Sequence, residues 1–263
     1  MNTKTVLAAI AIPVYNPEMS VFDKISFLQC LKVLGNYDIY LVAPEGIDLT
    51  AYTGYGNIIV KRFDPFFFKG IKGYNRLLLS PFFYKQFKDY QYLLIYQLDC
   101  YVFKDELSHW CQRGYDYIGA PWLNMDVYRW LFIKDVYPSE LKLIHRLTRG
   151  YFMKRTGNGG LSLRKISSMI NNLKFFSAAS KSWKVNEDLF FMHYVGTFNV
   201  LFKVPTPEVA VTFSFDVYPA EAYEMNHQRL PFGCHGFNRS DAPNYTDNLS
   251  FWRNHIPELA EVN

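Results

Sequence analysis

Three groups of polar side chains, far apart in the sequence, are of types that carry catalysis and metal binding. The first, Asp99, follows the run 92–96, which is apolar at odd and even positions alike, as in a central strand of a parallel sheet. A carboxylate at the carboxyl end of such a strand lies where open α/β sheets bind their ligands. Because an unpaired buried carboxylate is unfavourable, we expect Asp99 either to cap a helix or to bind a metal ion or diphosphate. Asp105 is better placed to cap the next helix, which favours the ligand-binding role.

The second group is the acidic pair Glu187 and Asp188, which precedes the apolar run 189–192. Two interpretations are open for this pair. It can be the acidic first turn of a helix capped by Asn186, or it can supply a general base. A glycine-rich segment, 157–160, lies upstream and permits close approach of the backbone to a ligand. As a phosphate-binding loop this segment is a weak match, because no Lys-Ser/Thr follows it.

The third is His235, which lies between glycines and aromatic residues near the end of the chain. A single histidine is more often structural than a ligand, yet a histidine on such a turn can complete a metal site. Further polar side chains, Tyr74, Asn75 and Arg76, open a helix after an aromatic loop. They can face a base or a phosphate, and an ordinary polar helix start is the alternative.

The secondary structure that must position these groups begins as strand, helix, strand. A strand over 6–12 is followed by a helix that Ser20 caps and that ends at 35–36, and then by a strand over 37–43. Such a βαβ unit is expected to be right-handed with parallel strands. Further strands are expected at 57–63 and 115–120, and helices at 74–79, 81–87, 106–112 and 166–173. The absence of a G-x-G-x-x-G motif argues against a dinucleotide dehydrogenase.

The composition excludes several classes of protein. With 263 residues, 49% hydrophobic, 20% charged and 18% aromatic, the chain is typical of a folded α/β protein. The net charge is only +4, and the sequence has no basic tail and no zinc-finger motif. We therefore expect no nucleic-acid partner. Four cysteines without C-x-x-C spacing indicate reduced packing residues. No apolar run reaches the ~20 residues of a membrane span, so the expected location is cytoplasmic.

The segment 124–156 is basic, aromatic and amphipathic. It holds seven Lys/Arg and three Asp/Glu, an excess of four that equals the net charge of the whole chain. Such an insert can lie on anionic lipid headgroups or hold an acidic acceptor. A solvated helix packed on the domain is the alternative.

Three motifs in this order resemble those of GT-A-type glycosyltransferases, and within them a mostly bacterial group of uncharacterised glycosyltransferase-like proteins. The first is Gln97-Leu98-Asp99 with 115–122 downstream, the second is 157–164, and the third is 187–191 followed by 233–235. The resemblance covers about residues 12–252. It implies a single GT-A-like α/β domain over 1–263, with a nucleotide-binding, Rossmann-type mixed sheet flanked by helices. Its parts are a nucleotide-binding half (1–123), a basic aromatic helical insert (124–156) and an acceptor and catalytic half (157–263).

The resemblance also implies roles for individual residues. Asp99 matches the last acid of the D-x-D motif, which holds Mn²⁺ or Mg²⁺ on the donor diphosphate, and His235 matches a later metal ligand. Gln97 stands where the first Asp is usual, which weakens the prediction that the activity requires a metal ion. Asp188 matches the catalytic base of inverting members, with Glu187 as the alternative. The residues expected to bind the donor nucleotide are Pro13, Tyr15, Asn75, Arg76, Gln97 and Asp99. Those expected around the donor sugar and acceptor are Trp122, Asn158, Gly159 and Gly160.

The implied function is transfer of a sugar, with inversion, from a UDP-linked nucleotide-sugar donor to a hydroxyl of a glycan or lipid-linked acceptor. Such a hexosyltransferase-like enzyme would serve cell-surface polysaccharide synthesis, with segment 124–156 in peripheral contact with the inner face of the membrane. One alternative is a non-catalytic protein that binds nucleotide sugars or carbohydrates on the same fold, which the Gln97 departure supports. Another is a peripheral membrane scaffold.

Overall fold

A six-stranded mixed sheet forms the centre of the protein, seen in a computed structural model that describes residues 6–123, 138–148, 155–240 and 248–262. A small three-stranded sheet lies at the carboxyl end of its central strand. The described strands are β1 (Val6–Pro13), β2 (Asp38–Pro44), β3 (Ile58–Phe63), β4 (Tyr90–Tyr96), β5 (Cys100–Val102), β6 (Tyr117–Gly119), β7 (Leu161–Lys165), β8 (Ser214–Phe215) and β9 (Gly233–His235). The strand orders are β3-β2-β1-β4-β7-β6 in the large sheet and β5-β9-β8 in the small one.

Helices cover both faces of the large sheet. They are α1 (Val21–Leu34), α2 (Thr50–Thr53), α3 (Gly70–Leu78), α4 (Pro81–Lys85), α5 (Leu107–Gln112), α6 (Ser139–Leu147), α7 (Ile166–Phe175), α8 (Ser177–Ser182), α9 (Glu187–Leu189), α10 (Gly196–Phe198), α11 (Pro207–Phe213), α12 (Pro219–Met225) and α13 (Asn248–Arg253). A π-helical turn (Phe190–Val195) joins α9 to α10, and 3-10 turns lie at Pro65–Phe68 and Pro257–Glu261.

Alternate residues of the central strands build two separate cores. Leu93 and Ile95 face the core that α3, α4 and α7 cover, whereas Tyr92 and Leu94 face the core that α1 covers. A strand buried on both faces has no polar alternation, which is why the run 92–96 is apolar throughout. The mixed α/β architecture predicted from the sequence is confirmed, with β4 between β1 and β7.

The direction of β7 brings the glycine segment to the end of β4. β7 runs antiparallel to β4, so its beginning lies beside the carboxyl end of β4, and the Gln97 N–H donates to the Gly160 carbonyl at 3.1 Å. The small sheet brings His235 to the same end of β4, since Cys100 of β5 pairs with His235 of β9. Backbone pairing alone therefore places Gln97, Gly160 and His235 around one point.

Local signals in the sequence are largely confirmed. Ser20 caps α1 in a capping box: its hydroxyl accepts from the Asp23 N–H, and the Asp23 carboxylate accepts from the Ser20 N–H. The first three strands are parallel as expected. Helix α3 begins at Gly70, four residues before the predicted start, because a 3-10 turn capped by Asp64 already orders the preceding loop. All four cysteines are buried and unpaired.

The insert 124–156 lies largely outside the described residues, apart from 138–148 and 155–156. Its described part holds α6, on which Leu141 and His145 are buried. In the part of the chain that the structure describes, no helix is long and apolar enough to cross a membrane.

Candidate active site

A pocket of about 550 Å³ lies at the carboxyl ends of β1 and β4. Eleven of the thirteen predicted site residues line it, although they come from six separate segments of the chain. They are Pro13, Tyr15, Asn75, Gln97, Asp99, Asn158, Gly159, Gly160, Glu187, Asp188 and His235. The pocket therefore lies at the sheet edge where open α/β folds bind ligands.

Arg76 and Trp122 do not line this pocket. Helix α3 turns its Tyr74 and Asn75 toward the pocket, and the next residue on a helix points about 100° away. The Arg76 guanidinium accordingly donates to the Lys181 carbonyl on another face. Trp122 packs edge-on against His193, with ring centroids 5.6 Å apart. The structure thus places neither residue where the sequence analysis expected a donor or acceptor contact.

Asp99 forms ion pairs, and its carboxylate caps none of the described helices. Arg239 donates from Nε (2.9 Å) and Nη2 (2.5 Å) to Oδ2 of Asp99, while Nε2 of His235 lies 3.2 Å from Oδ1. Burial alone raises the pKa of Asp99, but His235 and Arg239 lower it more, which leaves this pKa well below its ordinary value. Asp99 is consequently an anion that holds two cationic side chains in the pocket.

His235 bridges two carboxylates. Its Nδ1 donates to Oδ1 of the buried Asp216 at 2.9 Å, and its Nε2 lies 3.1 Å from the Gln97 amide oxygen. Burial lowers the pKa of His235, but Asp99 and Asp216 raise it more, to about 9. Asp216 also accepts from the Asn158 amide at 2.6 Å. A single buried carboxylate therefore fixes both the histidine and the glycine segment.

The donor atoms present fit a divalent metal ion in type and spacing. Counting only His, Cys, Asp and Glu, the described residues contain no group of three that could hold a metal. The Gln97 amide oxygen, however, is a third donor beside Oδ1 of Asp99 and Nε2 of His235, at separations of 3.1 and 3.2 Å from the histidine nitrogen. Neighbouring ligands about 2.1 Å from an octahedral ion lie about 3 Å apart. Metal binding here requires the Nε2 proton of His235 to leave.

The glycines of segment 157–160 make room for side chains of the protein itself. A Cβ on Gly160 would lie 2.1 Å from two ring atoms of His235, and a Cβ on Gly159 would lie 2.9 Å from Oε1 of Glu187. The sequence analysis expected these glycines to admit a ligand. Their first physical role is to let the histidine and the glutamate approach the backbone.

We expect Gly160→Ala to displace the His235 ring and to weaken binding of a diphosphate ligand. Overpacking of this kind costs typically about 1–3 kcal/mol of stability, so thermal unfolding and calorimetry with UDP are measured together. Gly54→Ala is the control, because a Cβ there would lie 3.9 Å from its nearest neighbour. Wild-type UDP affinity in Gly160→Ala would mean that the ring position is not needed for binding.

Glu187 pairs with a buried arginine, Arg164, to which the sequence alone assigned no role. Nη2 of Arg164 lies 2.6 Å from Oε1 of Glu187, and both side chains are buried. Arg164 also donates to the hydroxyls of Tyr84 at 2.9 Å and Tyr117 at 3.1 Å, and its guanidinium lies 4.8 Å from the Tyr117 ring centre. Burial lowers the pKa of Arg164, but Glu187 and the neighbouring tyrosines raise it more. Glu187 thus has a fixed cationic partner.

Asp188, the next residue, lies in a different electrostatic environment. Its carboxylate accepts only from backbone groups among the described residues, the N–H of Leu189 at 2.7 Å and that of Gly159 at 3.3 Å. Burial, followed by the charge of Glu187, raises the pKa of Asp188 to about 8. Asn186 occupies the position before the helix without making a side-chain capping bond. A buried carboxyl group in a cleft whose pKa is raised by burial and by a neighbouring charge is typical of acid–base sites.

Three residues of the site had no role in the sequence analysis: Arg164, Asp216 and Arg239. Arg164 carried a usable signal, because it is a charged residue in a strand that is otherwise buried. Arg239 lies four residues after His235, a weaker signal. Nothing near Asp216 in the sequence indicates that it binds a histidine 19 residues away.

Comparison with solved structures identifies the fold. The chain is similar to the galactosyltransferase LgtC in complex with donor and acceptor sugar analogues, with 13% identity, a TM-score of 0.53, and 96% of this chain and 95% of that chain covered. It is also similar to apo mouse xyloside xylosyltransferase 1, with 11% identity, a TM-score of 0.52, and 90% and 100% covered. The bifunctional glycosyltransferase WbbM gives 11% identity and a TM-score of 0.53, over 97% of this chain and 52% of that one. These similarities show a GT-A glycosyltransferase fold.

Sequence comparison gives a family without an assigned activity. Residues 57–235 match the model of the family described as "Protein of unknown function (DUF5672)". This match spans more than half of the chain and contains every pocket residue from Gly70 to His235. None of the curated protein sequences matches the chain.

Proposed function

The protein belongs to the DUF5672 family, and from this premise we propose that it is a glycosyltransferase that uses a nucleotide-sugar donor. The proposed donor is UDP-linked, and the proposed acceptor is a hydroxyl of a glycan or a lipid-linked glycan used in cell-surface polysaccharide synthesis. A mostly bacterial distribution of such proteins stays a prediction.

The observation that carries the proposal is the shared pocket. Asp99 lies 89 positions before Asp188, and Asp188 lies 47 positions before His235. All three nevertheless line one cavity on a GT-A fold. Glycosyl transfer needs a cationic region for the leaving diphosphate and a carboxylate for the acceptor proton. The pocket is lined by both, with Arg239 and His235 as the cationic side chains and Asp188 as the carboxylate.

The donor nucleotide would occupy the part of the pocket between β1 and β4. Tyr15 lies edge-on to Tyr74, with ring centroids 5.9 Å apart, and forms an aromatic wall for a base. Arg239 would face the diphosphate, since its positive charge is held in place by Asp99. Arginine is well suited to this because its guanidinium matches phosphate geometry.

A divalent ion, Mn²⁺ or Mg²⁺, would be held by Oδ1 of Asp99, Nε2 of His235 and the amide oxygen of Gln97. When bound, such an ion neutralises the charge that develops on the leaving diphosphate. Asp216 would orient His235 through its hydrogen bond to Nδ1, as carboxylates commonly do for metal-binding histidines. Arg239 occupies the other oxygen of Asp99 and leaves Oδ1 for the ion.

The proposed reaction is a direct displacement with inversion. The acceptor hydroxyl gives its proton to the Asp188 carboxylate while its oxygen attacks the anomeric carbon of the donor. The bond from that carbon to the diphosphate oxygen breaks, and the nucleoside diphosphate leaves with the electron pair. We prefer Asp188 to Glu187 as the base, because the Glu187 carboxylate is already paired with Arg164.

We expect UDP to bind the wild-type protein more tightly with Mn²⁺ than without it. In Asp99→Ala, Mn²⁺ should no longer increase the affinity for UDP. The reason is that Asp99 supplies the only charged oxygen among the three donors. Calorimetry of both proteins, each with and without Mn²⁺, measures the four affinities. Equal affinity in all four would remove the metal from the site. No binding of UDP-, GDP- or CDP-sugars under any condition, in a thermal-shift screen, would overturn the glycosyltransferase proposal itself.

A second candidate is a non-catalytic protein that binds nucleotide sugars or carbohydrates. Gln97, in place of an acid, and the pairing of Asp99 with Arg239 favour it, because both lower the negative charge available to a metal. Hydrolysis of a nucleotide sugar that is lost in Asp99→Ala would decide against this candidate.

A further inference from the structure

A second cavity, of about 570 Å³, lies against another face of helix α3. Tyr74 and Asn75 of this helix line the candidate active site, whereas Arg76 lines the second cavity. Its walls are largely apolar and come from the 3-10 turn before α3, the start of α4 and the end of α7. They are formed by Phe66, Phe67, Leu79, Pro81 and Leu173. The proposed transfer reaction uses none of these residues.

Positive charge surrounds this apolar cavity. Arg76, Lys174 and Lys181 line it, and no Asp or Glu is among the lining residues. None of the three forms an ion pair with an acidic residue of the described chain. The Arg76 guanidinium donates to the Lys181 carbonyl, which fixes both segments at the rim. The cavity is therefore complementary to an anionic group attached to an apolar one.

Large apolar side chains next to the cavity are exposed to solvent. The exposed fraction is 56% for Phe66, 54% for Phe82 and 82% for Phe175. A single exposed apolar residue is ordinary, but several together mark an interaction surface. We refer to these three aromatic residues, with Arg76, Lys174 and Lys181, as the basic aromatic face.

The apolar surface continues beyond this face. Ring contacts run from Phe175 to Phe176 at 4.8 Å, from Phe176 to Tyr194 at 5.5 Å and from Tyr194 to Phe198 at 4.7 Å. Beyond Phe198, the side chain of Val200 is 81% exposed. These contacts carry exposed apolar side chains beyond the cavity, which suits an extended partner surface better than it suits a small soluble ligand.

We propose that the basic aromatic face docks on an anionic phospholipid bilayer. Lipid phosphates would contact Arg76, Lys174 and Lys181, while Phe66, Phe82 and Phe175 enter the interfacial layer, where aromatic side chains are favoured. The face lies on the side of the sheet covered by α3, α4 and α7, opposite α1. It is separate from segment 124–156, and the docking does not depend on the glycosyltransferase proposal.

The test is sedimentation of the full chain with phosphatidylcholine vesicles, with and without phosphatidylglycerol. Each lysine near an anionic surface contributes about fivefold to binding, so Lys174→Glu/Lys181→Glu should weaken binding to the phosphatidylglycerol vesicles by at least about 30-fold. The matched control is Lys24→Glu/Lys32→Glu, which makes the same change of charge at exposed positions of α1 on the opposite face. It should bind nearly as well as wild type.

A second variant, Phe82→Ser/Phe175→Ser, separates insertion from simple charge attraction. It should weaken binding even at high salt, where surface electrostatics is screened. All these positions are exposed, so thermal unfolding should remain close to that of wild type. The proposal is overturned if wild type does not bind phosphatidylglycerol vesicles, or if the control double variant loses as much binding as the variant of the face. Equal binding to neutral vesicles, or capture only by a protein partner, would also overturn it.

Discussion

Replacing Asp188 with asparagine is expected to lower the rate of sugar transfer by about 10²–10⁴-fold, the usual contribution of a general base. Donor binding should change little, because the Asp188 carboxylate accepts hydrogen bonds only from backbone groups among the described residues and has no place in the proposed donor site. Steady-state kinetics gives the rate, and calorimetry with the nucleoside diphosphate gives the affinity. Transfer at nearly the wild-type rate in Asp188→Asn would remove this residue from the mechanism.

The pH dependence gives an independent measure of the same role. The pKa of Asp188 is raised to about 8, so the side chain is mostly protonated at pH 7 and becomes a base as the pH rises. We therefore expect the wild-type rate to increase with pH up to about 8 and then to level off, whereas Asp188→Asn should lack this rise. Glu187→Gln removes the neighbouring charge that helps to raise this pKa, and it should shift the rise to lower pH. A wild-type rate that falls between pH 6 and 8 would contradict the assignment.

Replacing Arg164 with methionine is expected to lower the free energy of unfolding by about 3–5 kcal/mol, the usual cost of leaving one partner of a buried ion pair unpaired. Arg164 is fully buried and Glu187 nearly so. The substitution also removes a donor from the hydroxyls of Tyr84 and Tyr117. Urea denaturation measures the loss.

Two further variants separate the charge effect from packing. Arg164→Met/Glu187→Gln should recover much of the lost stability, because the buried charge then disappears together with its partner. Arg113→Met, at an exposed arginine over the ring of Tyr115, should change stability by no more than about 0.5 kcal/mol. A double variant as unstable as Arg164→Met would show that packing around the guanidinium dominates.

The buried pair also explains how two adjacent carboxylates come to differ. Burial opposes ionisation of Asp188, and the neighbouring charge of Glu187, which is paired with Arg164, adds to this effect. The ion pair therefore contributes to the raised pKa of the proposed base. Stability is then linked to pH in a defined direction: a carboxyl whose pKa is raised on folding lowers stability as the pH rises from its unfolded value of about 4 toward 8.

The helices and strands, and the position of the site at the strand ends, could be predicted from local patterns in the sequence. Apolar periodicity defined β1, α1, β2 and β4, and Ser20 marked the start of α1. Such patterns are local, and a strand that is buried on both faces or a capped helix leaves them in adjacent residues. The position of Asp99 at the end of β4 follows directly, because an open α/β sheet binds ligands at that edge.

Which side chains contact one another depends on the folded chain. Arg239 pairs with Asp99 across 140 positions, and Arg164 pairs with Glu187 across 23, and no local pattern encodes either contact. The glycines of segment 157–160 were correctly placed by sequence, but only the packing of His235 against Gly160 shows what fills the space. Asn75 and Arg76 were equivalent candidates in the sequence. A rotation of about 100° per helical residue directs Asn75 into the active-site pocket and Arg76 to the basic aromatic face.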